Sequence, residues 1–334
     1  MSDTLDHPRS PLTAKDWAAD MEVRWCPGCG DYAILKAVLK TVTDLGLDPD
    51  RTAFISGIGC ASRFPYYVES YGFHTIHGRA ATIATGAKLA RPELDVWVVS
   101  GDGDSLSIGG NHLLHLVRRN LDLVYLLFNN QIYGLTKGQA SPTSRLGQVT
   151  PSTPEGSIDQ PVHAGSFVLG AGATFYARVP DVAQAQLVEV MKQAHDHRGT
   201  GFVEILQNCI VYNDGAFAEV TGKATAPERQ LWCKAGEPLL YAGGRKGLRF
   251  DPAAFDLVPF TVGEDGFEVS DAVVHDPTNR RLAQMLAARD DVLAMGVVFQ
   301  TDAPTLDGLH HARRPAAKED LQALLEGRET WVVA

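Results

Sequence analysis

The sequence lacks several features that would each define a class of protein. No apolar run reaches the roughly 18 residues that cross a bilayer, and residues 1–8 have neither the basic nor the apolar stretch of a signal peptide. Lys and Arg number 30 against 40 Asp and Glu, a net charge of −10, which argues against binding to nucleic-acid phosphates. Five cysteines in 334 residues are too few for a disulfide scaffold. We therefore expect a cytoplasmic chain that binds neither membrane nor nucleic acid.

The composition and the order of the predicted elements indicate a globular α/β protein. Apolar residues make up 45% and charged residues 21%, which is enough apolar surface for a core. Short β-rich runs alternate with helical patterns, and this alternation predicts a doubly wound, mostly parallel sheet. We expect strands at 52–58, 96–100, 121–128, 173–179 and 202–206, and helices at 34–45, 79–90, 107–120, 160–172 and 182–197.

Three regions follow from this pattern. Residues 1–24 form a polar lead-in, residues 25–225 form the α/β domain, and residues 226–334 form a C-terminal extension whose topology the sequence leaves open. Residues 139–160 are rich in Ser, Thr, Pro and Gly. Because a loop this long inside a compact domain is usually functional, we expect it to contribute to a site.

Two polar loops follow neighbouring predicted strands, Gly-Asp-Gly-Asp at 101–104 and Asn-Asn-Gln-Ile-Tyr-Gly at 129–134. Asp102 and Asn130 are 28 residues apart, enough for one crossover helix, so both loops should meet at the carboxyl edge of the sheet. The glycines let the backbone approach a phosphate, and the next helix offers its first amides. The Asp102 carboxylate, the Asn130 amide oxygen and the carbonyl near Ile132 are ligands suited to Mg²⁺. The pattern predicts a Mg²⁺-diphosphate site; two ordinary turns are the alternative.

The cysteines form a second pattern. Cys26 and Cys29 make a Cys-x-x-Cys pair, while Cys60 and Cys209 each follow a predicted strand. Four thiolates brought together suit either tetrahedral Zn²⁺ or an iron–sulfur cluster, and the spacing leaves both open. A thioredoxin-like redox pair is disfavoured because no strand precedes the motif. Inert burial is plausible for Cys233.

Together the motifs resemble the beta subunit of 2-oxoacid:ferredoxin oxidoreductases, most closely the 2-oxoglutarate (2-oxoglutarate synthase) type. They are Trp-Cys-Pro-Gly-Cys-Gly at 25–30, Gly-Ile-Gly-Cys-Ala-Ser-Arg at 57–63, His-Gly-Arg-Ala at 77–80, the two loops above, and Ser-Pro-Thr at 141–143. Gly-Asp-Gly followed by Asn-Asn is also the signature of the diphosphate domain of thiamine-diphosphate enzymes. The resemblance implies a thiamine diphosphate whose Mg²⁺ is held by Asp102, Asn130 and the Ile132 carbonyl. It also implies a 4Fe-4S cluster held by Cys26, Cys29, Cys60 and Cys209.

Further site residues follow from the same resemblance. The implied cofactor-binding positions are Gly59, Ser62, His77, Gly78, Gly101, Asp102, Gly103, Asp104, Asn130, Ile132, Tyr133, Gly134 and Leu135. His77 and Arg63 are candidate catalytic residues at the binding edge, where they would contact diphosphate or a substrate carboxylate. Lys137 is a third candidate, because a cation beside the Mg²⁺ loop would pair with the second carboxylate of 2-oxoglutarate, which pyruvate lacks. A solvated surface lysine is the alternative.

The implied activity needs more than this chain. In the family the glutamate that activates thiamine comes from a pyrimidine-binding domain, and no second domain of sufficient length is evident, which implies an alpha subunit and an (αβ)₂ assembly. The implied reaction is the coenzyme A-dependent oxidative decarboxylation of 2-oxoglutarate with electrons passing to ferredoxin, or its reverse as a carboxylating synthase. Alternatives are a pyruvate or broad 2-oxoacid enzyme, a non-redox thiamine carboligase or decarboxylase, and a zinc-stabilised scaffold subunit without catalysis.

Overall fold

One large and one small β-sheet organise the computed structural model, which describes residues 12–313 and 326–327. The strands are β1 Thr52–Ser56, β2 Tyr71–His74, β3 Asp95–Gly101, β4 Leu123–Asn129, β5 Phe175–Pro180, β6 Thr200–Leu206, β7 Gln230–Trp232, β8 Leu240–Tyr241, β9 Lys246–Asp251, β10 Asp256–Thr261 and β11 Leu293–Gln300. The large sheet has the order β2-β1-β3-β4-β6-β5-β11-β7, and the small sheet the order β10-β9-β8. Neighbours in the large sheet are parallel except β5 and β11.

Helices cover both faces of the large sheet. They are α1 Asp31–Asp44, α2 Ala80–Ala90, α3 Asp102–Leu106, α4 Gly110–Arg119, α5 Ala164–Gly170, α6 Gln184–Asp196, α7 Ala218–Thr221, α8 Ala226–Arg229, α9 Arg280–Ala287 and α10 Leu306–Arg313. One core packs α2, α4, α5 and α9 against the sheet, and the other packs α1 and α6. Because both faces are covered, β4 is buried along its whole length and reads as an unbroken apolar run. The predicted doubly wound, mostly parallel α/β fold is thereby confirmed.

Most predicted elements lie within a few residues of the observed ones, but two helices are shorter than predicted. The helix expected at 107–120 begins only at Gly110, because residues 102–106 already form α3 and the backbone leaves the helical region at Ser107 (ψ −109°). The helix expected at 160–172 begins at Ala164, since Pro161 disfavours helical backbone at the residue before it. Residues 139–160 contain neither helix nor extended strand, so the predicted long loop is present.

The part of the C-terminal extension that the structure describes is continuous with the large sheet. β11 lies antiparallel beside β5, and β7 lies parallel to β11. The predicted boundary between residues 225 and 226 stays a prediction. Residues 1–11 of the predicted lead-in, and 314–325 and 328–334 of the predicted extension, lie outside the described residues. Within 12–313 and 326–327, no helix combines the length and apolar character needed to cross a membrane.

Candidate active site

The two predicted polar loops meet at the carboxyl edge of the large sheet. β3 and β4 are parallel neighbours, with Gly101 paired to Phe128, so Asp102 lies close to the end of the adjacent strand. Tyr133 joins the loops directly, because its hydroxyl donates to the Gly103 carbonyl at 3.0 Å. A side chain on Gly103 would collide with the Tyr133 ring. This contact explains why a glycine stands between the two aspartates.

Residues 141–144 of the long loop clamp Asp102. The buried Asp102 carboxylate accepts hydrogen bonds from Ser141 Oγ at 2.6 Å and from Thr143 Oγ1 at 2.5 Å. Ser144 Oγ donates to the Gln131 carbonyl at 2.7 Å, so the same turn also fixes the second loop. Burial raises the pKa of Asp102, and the two hydroxyls oppose that rise. Outer hydroxyl donors of this kind orient carboxylates that ligate metal ions.

A buried hydrogen-bond network supports the clamp. Thr143 Oγ1 also lies 3.0 Å from Asn129 Oδ1, and Asn129 Nδ2 donates to Glu204 at 2.8 Å. Glu204 forms a buried ion pair with Arg178 at 2.9 Å and accepts the Tyr176 hydroxyl at 2.6 Å. Burial alone raises the pKa of Glu204, but the Arg178 charge and these hydrogen bonds hold it below its ordinary value. The clamp therefore rests on buried charged and polar groups that pair with one another, although Arg178 Nη1 has no hydrogen-bond partner among the described residues.

Asp104 anchors two further loops at the same edge. Its Oδ1 accepts hydrogen bonds from the backbone N–H groups of Ile58 at 3.1 Å and Gly78 at 2.7 Å, and from His77 Nδ1 at 2.6 Å. Its Oδ2 accepts a hydrogen bond from Ser100 Oγ at 2.6 Å. The carboxylate thus fixes the loop after β1 and the loop before α2 to the end of β3, which turn chemistry within one loop does not explain.

The donor set at this edge fits Mg²⁺ and a diphosphate. A carboxylate at Asp102, an amide oxygen at Asn130 and peptide carbonyls nearby are the hard oxygen ligands that this ion prefers, with phosphate oxygens and water completing the shell. Asn130 Oδ1 accepts the Ile132 N–H at 3.2 Å, which fixes its orientation. Ser62 is buried, and its hydroxyl has no hydrogen-bond partner among the described residues.

Four cysteines converge beside this site. A cavity of about 190 Å³ is lined by Cys26, Cys29, Cys60 and Cys209, together with Asn130 and Gly134. The Sγ atoms of Cys209 and Cys60 lie 3.5 and 3.6 Å from the position that a Cβ on Gly134 would take. All five cysteines are free, and Cys233 packs in the hydrophobic core under α9 instead. The structure thus brings the four predicted cysteines to one cavity and places Cys233 elsewhere, and their role as ligands stays a prediction.

Hydrogen bonds tie the cysteine loops to the Mg²⁺-type site. The Trp25 indole donates to the Cys60 carbonyl at 2.7 Å. Asn213 donates its backbone N–H to the Cys209 carbonyl at 3.0 Å and its side-chain amide to the Asn130 carbonyl at 2.9 Å. The cysteine cavity and the loop of Asn130 are thus parts of one rigid edge.

A single metal ion and a polynuclear cluster place different demands on the spacing of four cysteines. Four sulfurs bound to one zinc at about 2.3 Å stand about 4 Å apart, and no three Cys, His, Asp or Glu side chains of the described residues could hold one metal ion. A 4Fe-4S cluster takes one thiolate per iron and so tolerates wider spacing. Gly134, which has no side chain, lines the same cavity beside Cys60 and Cys209.

Two of the four cysteines, Cys29 and Cys60, favour the neutral thiol when no metal is bound, because burial raises the pKa of each. Burial, reinforced by the Asp31 charge, raises the pKa of Cys29 far above its ordinary value and that of Cys60 to about 12. Asp31 lies buried in the first turn of α1, and burial raises its pKa to about 7. Metal binding here must displace protons from the thiols. Arg63 contributes the opposing positive charge.

The three predicted catalytic residues lie in different surroundings. Arg63 lines the cysteine cavity and donates to the Arg24 carbonyl at 2.5 Å. The His77 ring is partly exposed, with Nδ1 on Asp104. Lys137 is exposed, and no described residue pairs with its ammonium group. Its φ of 77° lies in the left-handed region, which is unfavourable in energy for lysine but not for glycine. Backbone strain of this kind is retained at functional positions.

Several residues that organise the site were not predicted from the sequence. They are Ser141 and Thr143, which donate hydrogen bonds to Asp102, the hydrogen-bonded network of Asn129, Glu204 and Arg178, and Gln207, which lies beside Cys29. Of the predicted positions, Gly59 and Gly78 have φ of 125° and 71°, Gly101 ends β3, and Leu135 is exposed on the cysteine cavity. The Ser-Pro-Thr motif was a signal for the clamp, but its target lies 39 to 41 residues away in the chain.

Comparison with known proteins places this arrangement among thiamine enzymes. The profile of the thiamine pyrophosphate enzyme C-terminal TPP binding domain matches residues 57–205. The 2-oxoglutarate oxidoreductase subunit KorB of Mycobacterium tuberculosis is 47% identical over 333 residues, which cover 97% of this chain and 89% of the relative. The 2-oxoglutarate synthase subunit KorB of Methanothermobacter marburgensis is 43% identical over 228 residues, covering 68% of this chain and 77% of that protein.

A solved structure shares the fold over nearly the whole chain. It is the 2-oxoglutarate:ferredoxin oxidoreductase from Magnetococcus marinus with 2-oxoglutarate, coenzyme A and succinyl-CoA bound. The two chains are 33% identical, superpose with a TM-score of 0.75, and cover 96% of this chain and 98% of the other. The likeness therefore extends past the thiamine-binding region into the C-terminal part of the chain.

Proposed function

The chain belongs to the family of 2-oxoacid:ferredoxin oxidoreductase beta subunits, and from this premise we propose that it is the beta subunit of a 2-oxoglutarate:ferredoxin oxidoreductase. The enzyme converts 2-oxoglutarate, coenzyme A and oxidised ferredoxin to succinyl-CoA, CO₂ and reduced ferredoxin, and with strongly reduced ferredoxin it runs in reverse as a carboxylating synthase. When bound, thiamine diphosphate supplies the decarboxylation chemistry and the 4Fe-4S cluster supplies one-electron transfer. The observation that carries the proposal is the contiguity of an Asp102-centred Mg²⁺-type donor set with a cavity of four cysteines.

The residues at the sheet edge hold Mg²⁺ and the diphosphate. Asp102, Asn130 and the Ile132 carbonyl supply the metal ligands, and the clamp of Ser141 and Thr143 fixes the Asp102 carboxylate before the ion arrives. A preoriented ligand costs less ordering when it binds. The loops that Asp104 anchors place further backbone N–H groups at the same edge.

The four cysteines hold the cluster next to the diphosphate loops. Asn213 connects the Cys209 loop to the Asn130 carbonyl, so the residues that would hold the two cofactors are joined to one another. A short, fixed separation is what one-electron transfer between the cofactors needs. Arg63, at the cavity wall, balances part of the negative charge that four thiolates bring.

Lys137 and His77 act on the substrate side. Lys137 sits exposed on the turn that follows the Asn130 loop, with no partner for its ammonium group among the described residues, and it pairs with the distal carboxylate of 2-oxoglutarate. Asp104 fixes His77 through Nδ1, which leaves Nε2 as the ring atom that contacts diphosphate or a substrate carboxylate.

Partner chains complete the enzyme. An alpha subunit with the pyrimidine-binding domain covers the site, within an (αβ)₂ assembly in the cytoplasm, and ferredoxin accepts the electrons. Relatives named as subunits support the alpha partner. Exposed apolar side chains around the loops also support a covering chain: Ile76 is 70%, Ile108 51% and Leu135 41% exposed. Such residues mark protein interfaces when they cluster.

The test is anaerobic viologen reduction by the co-purified complex with coenzyme A and either 2-oxoglutarate or pyruvate. We expect reduction with a clear preference for 2-oxoglutarate. A preference for pyruvate would still agree with a 2-oxoacid:ferredoxin oxidoreductase but would contradict the assignment of 2-oxoglutarate as the substrate. No reduction with any 2-oxoacid by protein that holds thiamine diphosphate would favour a non-redox carboligase or decarboxylase.

The Lys137→Ala variant tests whether Lys137 selects 2-oxoglutarate over pyruvate. Loss of the ion pair should lower kcat/KM for 2-oxoglutarate and leave that for pyruvate nearly unchanged, so the ratio of the two falls. Lys36→Ala, at an exposed position on α1, is the matched control and should leave the ratio alone. An unchanged ratio in the Lys137 variant would mean that this lysine is an ordinary surface residue.

A further inference from the structure

The Gln207 side chain lies beside the Cys29 sulfur and has no access to solvent. Gln207 follows directly after β6, its side chain is 0% exposed, and its Nε2 stands 3.3 Å from Cys29 Sγ. Within residues 12–313 and 326–327, Gln207 is the only side chain that donates a hydrogen bond to the sulfur of any of the four cysteines. The function assigned above makes no use of this residue.

The amide of Gln207 is held in one orientation. Nε2 also donates to the Asn208 carbonyl at 2.7 Å, so its two hydrogens meet two acceptors. A flipped amide would set Oε1 against the same carbonyl and the same sulfur, both of which accept, and would leave Nε2 where Oε1 now has no partner among the described residues. The donor therefore faces Cys29.

The backbone around Gln207 prevents it from withdrawing. Its own N–H donates to the Asn129 carbonyl at 2.8 Å, and the Gly30 N–H donates to the Asn208 carbonyl at 3.1 Å. A Cβ on Gly30 would lie 3.0 Å from Gln207 Cγ and would overlap the Asp181 carboxylate. The Cys29 loop and the Gln207 loop are interlocked, which gives Gly30 its reason to be glycine.

We propose that Gln207 is a positioning residue that raises the reduction potential of the 4Fe-4S cluster by donating a hydrogen bond to the Cys29 thiolate. Reduction adds negative charge that spreads onto the cysteine sulfurs, and an N–H dipole aimed at one of them stabilises the reduced cluster more than the oxidised one. The inference rests on the proposed function, since it needs the cluster.

The experiment is a redox titration of the anaerobically co-purified complex, followed by the electron paramagnetic resonance signal that Cys209→Ser removes. Gln207→Met keeps the length of the side chain and removes the donor, so its midpoint potential should move to a more negative value with iron content unchanged. Gln207→Leu removes the whole amide and should move it the same way. Gln186→Met, at an exposed position on α6, is the control and should match the parent.

The outcomes separate this inference from the proposed function. A parent complex without any cluster signal would remove the function on which the inference depends. A parent with the signal, and a Gln207→Met complex with the same potential, would overturn the role of Gln207 and leave the function standing. If both variants lose iron, pulsed resonance on parent complex labelled with ¹⁵N at glutamine side chains decides: we expect a coupling between the reduced cluster and one side-chain nitrogen, and its absence would overturn the inference.

Discussion

Arg178→Met is expected to destabilise the fold strongly, although Arg178 is not proposed to touch substrate or cofactor. The side chains of Arg178 and Glu204 are 5% and 3% exposed and joined at 2.9 Å. The substitution keeps most of the volume of the arginine stem and leaves the Glu204 carboxylate buried without its cation. Removing one partner of such a pair costs roughly 3–5 kcal/mol.

The structure argues for the lower end of that range. Glu204 retains the Asn129 amide and the Tyr176 hydroxyl as donors, so the orphaned charge is partly satisfied, and we expect a loss of about 3 kcal/mol. Arg91→Met is the matched control, because Arg91 and Glu93 form an exposed pair, 67% and 42% accessible. Exposed pairs contribute roughly 0–1 kcal/mol.

The sign of the pH dependence gives a second check. In the parent the pKa of Glu204 lies below its ordinary value, so the pair stabilises the fold above the unfolded pKa of about 4.3 and loses that contribution as the pH falls through the folded pKa. Without Arg178, burial dominates and raises this pKa. The penalty in the variant is then larger at pH 7 than at pH 5 and shrinks as the pH falls toward about 4.3.

Equilibrium urea unfolding of the co-purified complex, followed by near-ultraviolet circular dichroism at pH 7 and pH 5, measures both effects. Arg178→Met should lower the transition midpoint, less so at pH 5, and adding Glu204→Gln should restore part of the loss because the orphaned charge is gone. A midpoint equal to that of the Arg91 control, or a double variant less stable than the single one, would show that Arg178 does not stabilise the fold through the Glu204 charge.

Two further predictions concern the metal sites. Cys209→Ser should lower the iron content of the complex and change its cluster spectrum while Cys233→Ser, in the core, leaves both intact; full iron in the first variant would contradict the ligand assignment. Thr143→Val should weaken Mg²⁺ binding by roughly 10–100-fold, because it removes one of the two hydroxyls that orient Asp102. Calorimetric Mg²⁺ titration in the presence of thiamine diphosphate measures this, and parent-like affinity would show that the clamp has no effect on the ion.

The sequence predicted the fold where local pattern and tertiary environment agree. The apolar runs at 121–128 and 202–206 became β4 and β6, since a strand covered on both faces shows as an unbroken apolar run. Asp102 and Asn130 could be paired because crossover spacing and parallel order fix where strand ends meet. The resemblance to a known family, which the comparisons confirm, rested on these loops and on the cysteine motifs.

What the sequence could not supply depends on distant contacts. The Ser141 and Thr143 clamp and the Glu204 support reach across 39 to 75 residues, and a Ser or Thr in a turn-rich loop looks the same with or without such a partner. Nothing in the neighbouring sequence marks Gln207 as a site residue, because its role depends on a contact with Cys29, 178 residues away in the chain. The position of β11 in the large sheet could not be predicted from the sequence either, since an antiparallel strand from the C-terminal part of the chain follows no crossover pattern.

In the proposed enzyme one chain holds the diphosphate loops and the cluster side by side, so that electrons from the substrate reach the cluster within this subunit. The most direct measurement is rapid-freeze electron paramagnetic resonance of the anaerobic complex mixed with 2-oxoglutarate and coenzyme A, without ferredoxin. We expect the signal of a reduced 4Fe-4S cluster to appear in the parent and to be absent from both Cys209→Ser and Asp102→Asn complexes. A substrate-dependent signal that persists in the Cys209→Ser complex, or no signal in a parent that holds thiamine diphosphate and iron, would contradict the account.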